Sequence, residues 1–170
     1  GSDIDGEAFG DNFGYSVSLS SEGNIVAVGA YGNDGNGNDS GRVTVYGYKA
    51  NSWSQIGSNI DGEYEKDQSG YSISLSSDGN TLAIGARNNK ASGNNAGHIR
   101  VYNYNGTNWT QLGGDMDAEV STGTSGDKLG WSVSLSSDGK TVAAGAPLND
   151  RNGADSGYVS VYNYIGNSWS

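Results

Sequence analysis

The sequence predicts an all-β protein, a β-propeller segment of three four-stranded antiparallel blades. The 170 residues repeat internally, since Trp53, Trp109 and Trp169 stand 56 and 60 residues apart. Each repeat contains four short segments with strand-like polarity and none with helical periodicity, and the 29 glycines disfavour helix further. We assign residues 1–56, 57–112 and 113–170 to repeats 1, 2 and 3. The third repeat carries four extra residues around Ser121–Ser125.

Four strands, named A to D from the propeller axis outward, are predicted in each repeat. In the first repeat, strand A is Tyr15–Ser20, which alternates in polarity, and strand B is Ile25–Ala30, a short apolar run suited to burial on both faces. Strand C is Arg42–Tyr48, which alternates again, and strand D is Trp53–Ile60. The small residues of A and B favour the crowded axis, and the Tyr and Trp side chains of C and D favour the outside.

Composition excludes several function classes. A net charge of -10 argues against nucleic-acid partners and anionic membrane surfaces, and no apolar run is long enough to predict membrane insertion. The absence of Cys excludes thiol chemistry, and one His excludes a multi-His metal site. His98 takes the place of Arg42 and Tyr158 in the other repeats, which predicts a surface position. With no nucleophile–base arrangement in the sequence, we predict that the chain is not an enzyme.

Two recurring glycine motifs give the repeats a family resemblance. Phe13-Gly14 precedes strand A, and Val28-Gly29-Ala30 ends strand B. The third repeat has Leu129-Gly130 and Ala144-Gly145-Ala146-Pro147, and the second has weaker versions at Ser69-Gly70 and Ile84–Arg87. The chain therefore resembles the FG-GAP, or integrin-α-like, propeller repeat. The resemblance implies an extracellular or cell-surface location, a role in adhesion or ligand recognition, and calcium held between the FG and GAP strands. Here the A–B turns carry one acid each and depart from that calcium pattern.

The long B–C and D–A loops meet at one end of each blade, here named the loop face. Its D–A loops supply our candidate ligand-binding residues, which are Asp5, Glu7, Asp11, Asp61, Glu63 and Asp67. Its B–C loops supply candidate ligands for Ca²⁺, which are Asp34, Asn36, Asn38, Asp39, Asp150, Asn152 and Asp155. Three interpretations stay open for these loops. They are turns rich in Asx residues, calcium sites, or a surface that recognises carbohydrate or peptide.

The strand D tryptophans are predicted to pack between neighbouring blades, with each indole N–H bonded locally. A platform for stacking sugars is the alternative.

Three blades do not close a propeller ring. Propellers have four to eight blades as a rule, so a six-bladed homodimer is our first expectation and a nine-bladed homotrimer the second. A fragment of a longer propeller is the remaining possibility. Gly1-Ser2-Asp3-Ile4 matches Gly57-Ser58-Asn59-Ile60, so the N-terminus of one chain is expected to complete the last strand D of another.

The sequence therefore predicts a non-enzymatic binding or adhesion module that associates with itself. Two alternatives remain, namely a purely structural self-assembling scaffold and a lectin-like propeller that binds carbohydrate.

Overall fold

A computed structural model describes residues 3–118 and 126–170 as three antiparallel sheets, one for each repeat. Gly1, Ser2 and the predicted insertion at Ser121–Ser125 lie outside the described residues. No helix able to cross a membrane occurs in the described ranges. The first sheet contains β1 (Ser16–Leu19), β2 (Ile25–Ala30), β3 (Arg42–Lys49), β4 (Ser52–Gln55) and β5 (Ile60–Asp61). The second contains β6 (Ser69–Leu75), β7 (Thr81–Ala86), β8 (His98–Tyr104), β9 (Trp109–Gln111) and β10 (Met116–Asp117), and the third β11 (Ser132–Leu135), β12 (Thr141–Ala146), β13 (Tyr158–Ile165) and β14 (Ser168–Trp169).

Each sheet is a meander in which consecutive strands pair, as the four-strand prediction requires. In the first blade the order is β1-β2-β3-β4, and Val17 pairs with Val28 while Ala27 pairs with Val45. The third blade has the same order, β11-β12-β13-β14. The prediction of an all-β chain of blade-like units is therefore confirmed.

Strand D differs from the prediction because it is broken into two pieces. In the first blade β4 pairs with one half of β3, and β5 pairs with the other half through Arg42 and Val43. Between the pieces Gly57 has a positive φ of 72°, which disfavours a side chain. A Cβ atom at Gly57 would lie 2.7 Å from the Trp109 ring of the next blade. The break makes room for that ring, and it extends the first sheet past residue 56.

The FG glycine of one repeat packs against the GAP glycine of the repeat before it. A Cβ atom added at Gly29 would lie 2.2 Å from the carbonyl oxygen of Gly70, and one added at Gly85 would lie 2.2 Å from that of Gly130. Gly70 and Gly130 themselves have φ of 82° and 84°. Both halves of the motif are thus glycine because two backbones touch there.

Serines on the innermost strands bond across the same junctions. Ser16 Oγ donates to the Gly70 carbonyl at 2.7 Å, and Ser72 Oγ donates to the Gly130 carbonyl at 2.8 Å. Two positions further on, Ser18 Oγ accepts from the Leu75 N–H at 2.9 Å. The alternating Ser pattern of strand A therefore reflects hydrogen bonding between blades as well as small size.

The apolar cores lie between blades. Val43 and Val45 of the first blade pack with Ile73 and Leu75 of the second in one buried cluster. A second cluster joins the second and third blades, and it contains Ile99, Val101, Leu135 and Val142, among others. The junction is thus the unit that buries apolar area, as in other repeat proteins.

Two of the strand D tryptophans fix the outer rim of each junction. The indole N–H of Trp109 donates to the Ile56 carbonyl at 3.0 Å, and that of Trp169 donates to the Leu112 carbonyl at 2.7 Å. Each ring also stacks at a tilt on a tyrosine of its own blade, Tyr104 or Tyr164. The prediction that these indoles pack between blades with a local hydrogen bond is confirmed for Trp109 and Trp169.

We expect Gly85→Ala to lower the free energy of unfolding by about 1–3 kcal/mol, because the added methyl group overlaps a backbone carbonyl that cannot rotate away. Gly114→Ala is the matched control, since nothing lies within 4 Å of its Cβ position and its change should stay within about 0.5 kcal/mol. Urea unfolding followed by tryptophan fluorescence measures both. Equal stability of the two variants would contradict the assigned role of the glycine contact.

Candidate functional site

The two loop systems of the loop face are joined by one buried hydrogen bond in each repeat. The Nδ2 atoms of Asn33, Asn89 and Asn149 donate to a carboxylate that lies 22 residues earlier, at 2.8, 2.9 and 2.6 Å. These carboxylates belong to Asp11, Asp67 and Asp127, and all three are buried. The same bond in three repeats indicates that it shapes the loops.

Two of the candidate ligand-binding residues therefore lie inside the loops. Asp11 and Asp67 face Asn33 and Asn89, and burial raises the pKa of Asp67 above its ordinary value. Asp5 and Glu7 remain exposed, and Asp61 and Glu63 are half-buried. The accessible part of the candidate set is therefore smaller than predicted.

The candidate calcium ligands of the B–C loops take part in turn hydrogen bonds. Asp34 Oδ1 accepts from the Asp39 N–H at 2.8 Å, and Asp150 Oδ1 accepts from the Asp155 N–H at 2.8 Å. The Asn38 side chain also points to Asp34, and the Asn152 N–H donates to Ser156. These contacts are the ordinary chemistry of Asx turns, and calcium binding there stays a prediction.

Asn36 has a different role, because it links the first B–C loop to the next D–A loop. Its Nδ2 donates to the carbonyls of Gly62 and Glu63 at 2.8 and 2.9 Å. The backbone at Glu63 is thereby held in place.

In the first repeat, an arginine and two carboxylates form an ion cluster on the loop face. Arg42 Nη1 donates to Glu7 and Arg42 Nε donates to Asp61, both at 2.6 Å. Asp61 lies directly opposite Arg42 in the β3–β5 pair. The hydrogen bond with Asp61 raises the pKa of Arg42, so this cation is permanent.

The same positions in the second repeat, 56 residues later, hold a histidine between two carboxylates. His98 Nδ1 lies 3.9 Å from Glu63 and 3.8 Å from Asp117, too far for hydrogen bonds. Asp115 also approaches, and one potential ligand atom each of Glu63, His98 and Asp115 lie within 4.8 Å of one another. We name these four residues and Arg100, which lies 3.5 Å from Glu63, the His98 cluster.

The surface position predicted for His98 is wrong, because its side chain is only 1% exposed. Neither ring nitrogen has a hydrogen-bond partner among the described residues. Burial, together with the charge of Arg100, lowers the pKa of His98 to about 4 against the weaker opposing effect of Asp115. Substitution by Arg and Tyr in the other repeats suggested tolerance. The informative signal was the pair of acids that recurs around this position with a 56-residue spacing.

A row of aromatic side chains lies on the axial side of the loop face. Tyr15 and Tyr71 share a 2.7 Å hydrogen bond between their hydroxyls, and the Tyr71 ring packs against Trp131 at 5.4 Å. The Arg87 guanidinium lies 3.6 Å above the Tyr71 ring. Tyr15 and Trp131 remain exposed to solvent.

Comparisons with known proteins address the family and the fold. A family model described as the FG-GAP repeat matches residues 3–46 and 120–162. No curated protein matches the chain. Among solved structures, a protein assigned as a 6-phosphogluconolactonase from Bacteroides uniformis is 16% identical with a TM-score of 0.57, and covers 91% of this chain and 37% of its own. The periplasmic gluconolactonase PpgL of Pseudomonas aeruginosa is 19% identical with a TM-score of 0.55, and covers 88% and 39%.

Hydrazine synthase of Kuenenia stuttgartiensis is 9% identical with a TM-score of 0.57, and covers 98% of this chain and 37% of its own. At these identities the likeness shows the fold alone. The chain spans less than two fifths of the length of each of the three structures.

We expect the imidazole of His98 to titrate near pH 4 in metal-free buffer, well below an exposed histidine. Because the folded state resists protonation, His98 should stabilise the fold above pH 6.5, and this contribution should be lost as the pH falls from 6.5 toward 4. Since the chain has one histidine, NMR of the imidazole signals follows it without assignment. A midpoint near 6.5 would contradict the buried environment.

Proposed function

The chain belongs to the FG-GAP repeat family, and from this premise we propose that it is a non-enzymatic binding and adhesion module of a secreted or cell-surface protein, whose ring a second copy completes. The observation that carries the proposal is the pair of complementary blade faces at the two ends of the segment. The gluconolactonase likeness adds the propeller fold and no activity.

The first blade presents an inner-strand face that matches the buried faces of the others. Val17 is 64% exposed, whereas Ile73, its equivalent in the second blade, is 9% exposed. Leu19 and Leu75 differ in the same way. Gly14, the equivalent of Gly70, has φ of 87° and no described atom within 4 Å of its Cβ position. This face has the conformation of a junction without its partner blade.

The third blade presents the opposite half of the same junction. Val161 is 58% exposed, whereas its equivalent Val101 is fully buried. Gly145 and Trp131 line an open groove of about 380 Å³ with Ala146, Pro147 and Tyr158. The hydroxyl of Ser132 stands where Ser16 and Ser72 donate to the next blade.

The internal junctions provide the template for association between copies. Gly14 of one chain would meet Gly145 of another as Gly70 meets Gly29, and Val17 would be covered as Ile73 is. The rule that repeat modules bury apolar faces against neighbours favours this closure, and a head-to-tail pair of three-bladed units gives six blades. The acidic surface and the family resemblance support the location outside the cell.

We expect light scattering at low micromolar concentration to give about twice the chain mass of 17.5 kDa. Gly145→Ala should give a folded monomer, because its methyl group would occupy the place of the incoming Gly14 carbonyl. Within its own chain that methyl group meets only the mobile hydroxyl of Ser132, at 2.6 Å. Gly114→Ala should keep the wild-type mass.

A monomeric wild type would contradict completion of the ring by a second copy, and a trimer would replace six blades by nine. Hydrolysis of a gluconolactone above the spontaneous rate would contradict the non-enzymatic assignment. Assembly without any ligand for the loop face would favour the scaffold alternative.

A second candidate function is carbohydrate binding, and the aromatic row on the loop face favours it. Tyr15 and Trp131 offer exposed ring surface beside the Arg87 guanidinium, which is a combination of apolar area and directed donors suited to a sugar.

We expect that any glycan retained on an array binds at least ten-fold more weakly to Trp131→Ala. Trp53→Ala, on the outer strand of the first blade, serves as the control and should bind as wild type. No retained glycan, or equal loss in both variants, would contradict the lectin candidate.

A further inference from the structure

We propose that Glu63, His98 and Asp115 bind one divalent transition-metal ion, with Zn²⁺ as the best match. The site differs in place and in ligands from the calcium loops considered above. It lies within one chain, so metal binding and association between copies can succeed or fail separately.

The first argument is the comparison between repeats 1 and 2. Shifting Glu7, Arg42 and Asp61 by 56 residues gives Glu63, His98 and Asp117. In the first repeat the guanidinium is the cation between the two carboxylates, with contacts of 2.6 Å. In the second repeat the carboxylates remain but the guanidinium is replaced by an imidazole, which is shorter and can be neutral. A bound cation restores the charge that Arg42 supplies in the first repeat.

The second argument is the state of His98 itself. Its ring is buried, and both nitrogens lack hydrogen-bond partners among the described residues, although a buried imidazole normally has one. The Nδ1 atom faces the oxygens of Glu63 and Asp117. The low pKa keeps the ring neutral at pH 7, which is the form that binds metals.

The third argument is local charge. Glu63, Asp115 and Asp117 carry three negative charges, and Arg100 carries one positive charge. The Arg100 guanidinium donates to the Asp61 carbonyl at 3.0 Å and lies near one oxygen of Glu63, so it holds that residue in place. The remaining excess of two negative charges matches a divalent cation.

The donor set selects the metal. One imidazole nitrogen with carboxylate oxygens suits zinc, whereas calcium takes six to eight oxygens. Zinc bonds of about 2.0–2.2 Å bring ligand atoms to roughly 3.4 Å from one another. The three donors lie within 4.8 Å, and Asp115 is exposed while Glu63 is half-buried, so small side-chain rotations close the difference.

Asp115 strengthens the comparison, because the first repeat has Asn59 at that position. Asn59 Oδ1 accepts from the Gln55 side chain at 2.8 Å, and Asp115 accepts from the equivalent Gln111 at 2.6 Å. The carboxylate therefore keeps the same partner as the amide and adds a negative charge beside His98. The first repeat thus supplies a natural substitution for each of two proposed ligands.

The test is isothermal titration of the metal-free chain with zinc chloride, together with NMR of the single imidazole. Wild type should bind one Zn²⁺ per chain, with a shift of the His98 nitrogen resonances at the same stoichiometry. His98→Arg copies the first repeat, should fold, and should weaken binding at least ten-fold. Asp115→Asn changes an exposed side chain and should weaken binding to a lesser degree.

The reciprocal change tests sufficiency. Arg42→His combined with Asn59→Asp places the same donors in the first repeat, and a second zinc per chain is expected. Absence of zinc binding in wild type would overturn the proposal. So would equal affinity of wild type and His98→Arg, or zinc binding that leaves the imidazole resonances unchanged.

Discussion

The contact between an FG glycine and the GAP glycine of the preceding blade sets the geometry of the whole segment. At both internal junctions a carbonyl oxygen, from Gly70 or Gly130, occupies the space where any larger residue would place its Cβ atom. Because this contact lies on the inner strands, it fixes how closely two blades approach at the axis. The serine hydroxyls that donate to the same carbonyls then hold the inner strands together. Close approach and hydrogen bonding reinforce each other, since each serine can reach its carbonyl only at this separation.

Everything further from the axis depends on that approach. The valines of strand C are buried because the next blade lies directly over them, and the same residue type is exposed where no blade follows. At the rim, Trp109 reaches the Ile56 carbonyl only because strand D is broken at Gly57. Stability in such an array is close to a sum of blade and junction contributions. An open end therefore has a cost in exposed apolar area that only another junction removes.

Sequence periodicity was sufficient for the repeats, for strand B and for the blade order, because each depends on local polarity patterns and small residues. It did not predict the break in strand D, which exists to admit Trp109 from a different blade. It also placed Asp11 and Asp67 in a binding site, although both are buried against asparagines of another loop. Asp, Asn and Gly serve turns and sites alike, so composition could not separate these roles. Only the three-fold recurrence of the 22-residue pairing does so, and that spacing is visible in the sequence once the contact is known.

Position 98 shows why variation between repeats is a poor measure of exposure. Arg42, His98 and Tyr158 share one place in the repeat, and the carboxylates around the first two recur unchanged. The constant element is therefore the pair of acids, and the variable element is the group placed between them. An arginine carries its charge covalently, so the first loop cluster is complete in every medium. A neutral imidazole leaves the charge balance to an exchangeable ion, so with zinc bound the second cluster equals the first, and its strength follows the metal supply.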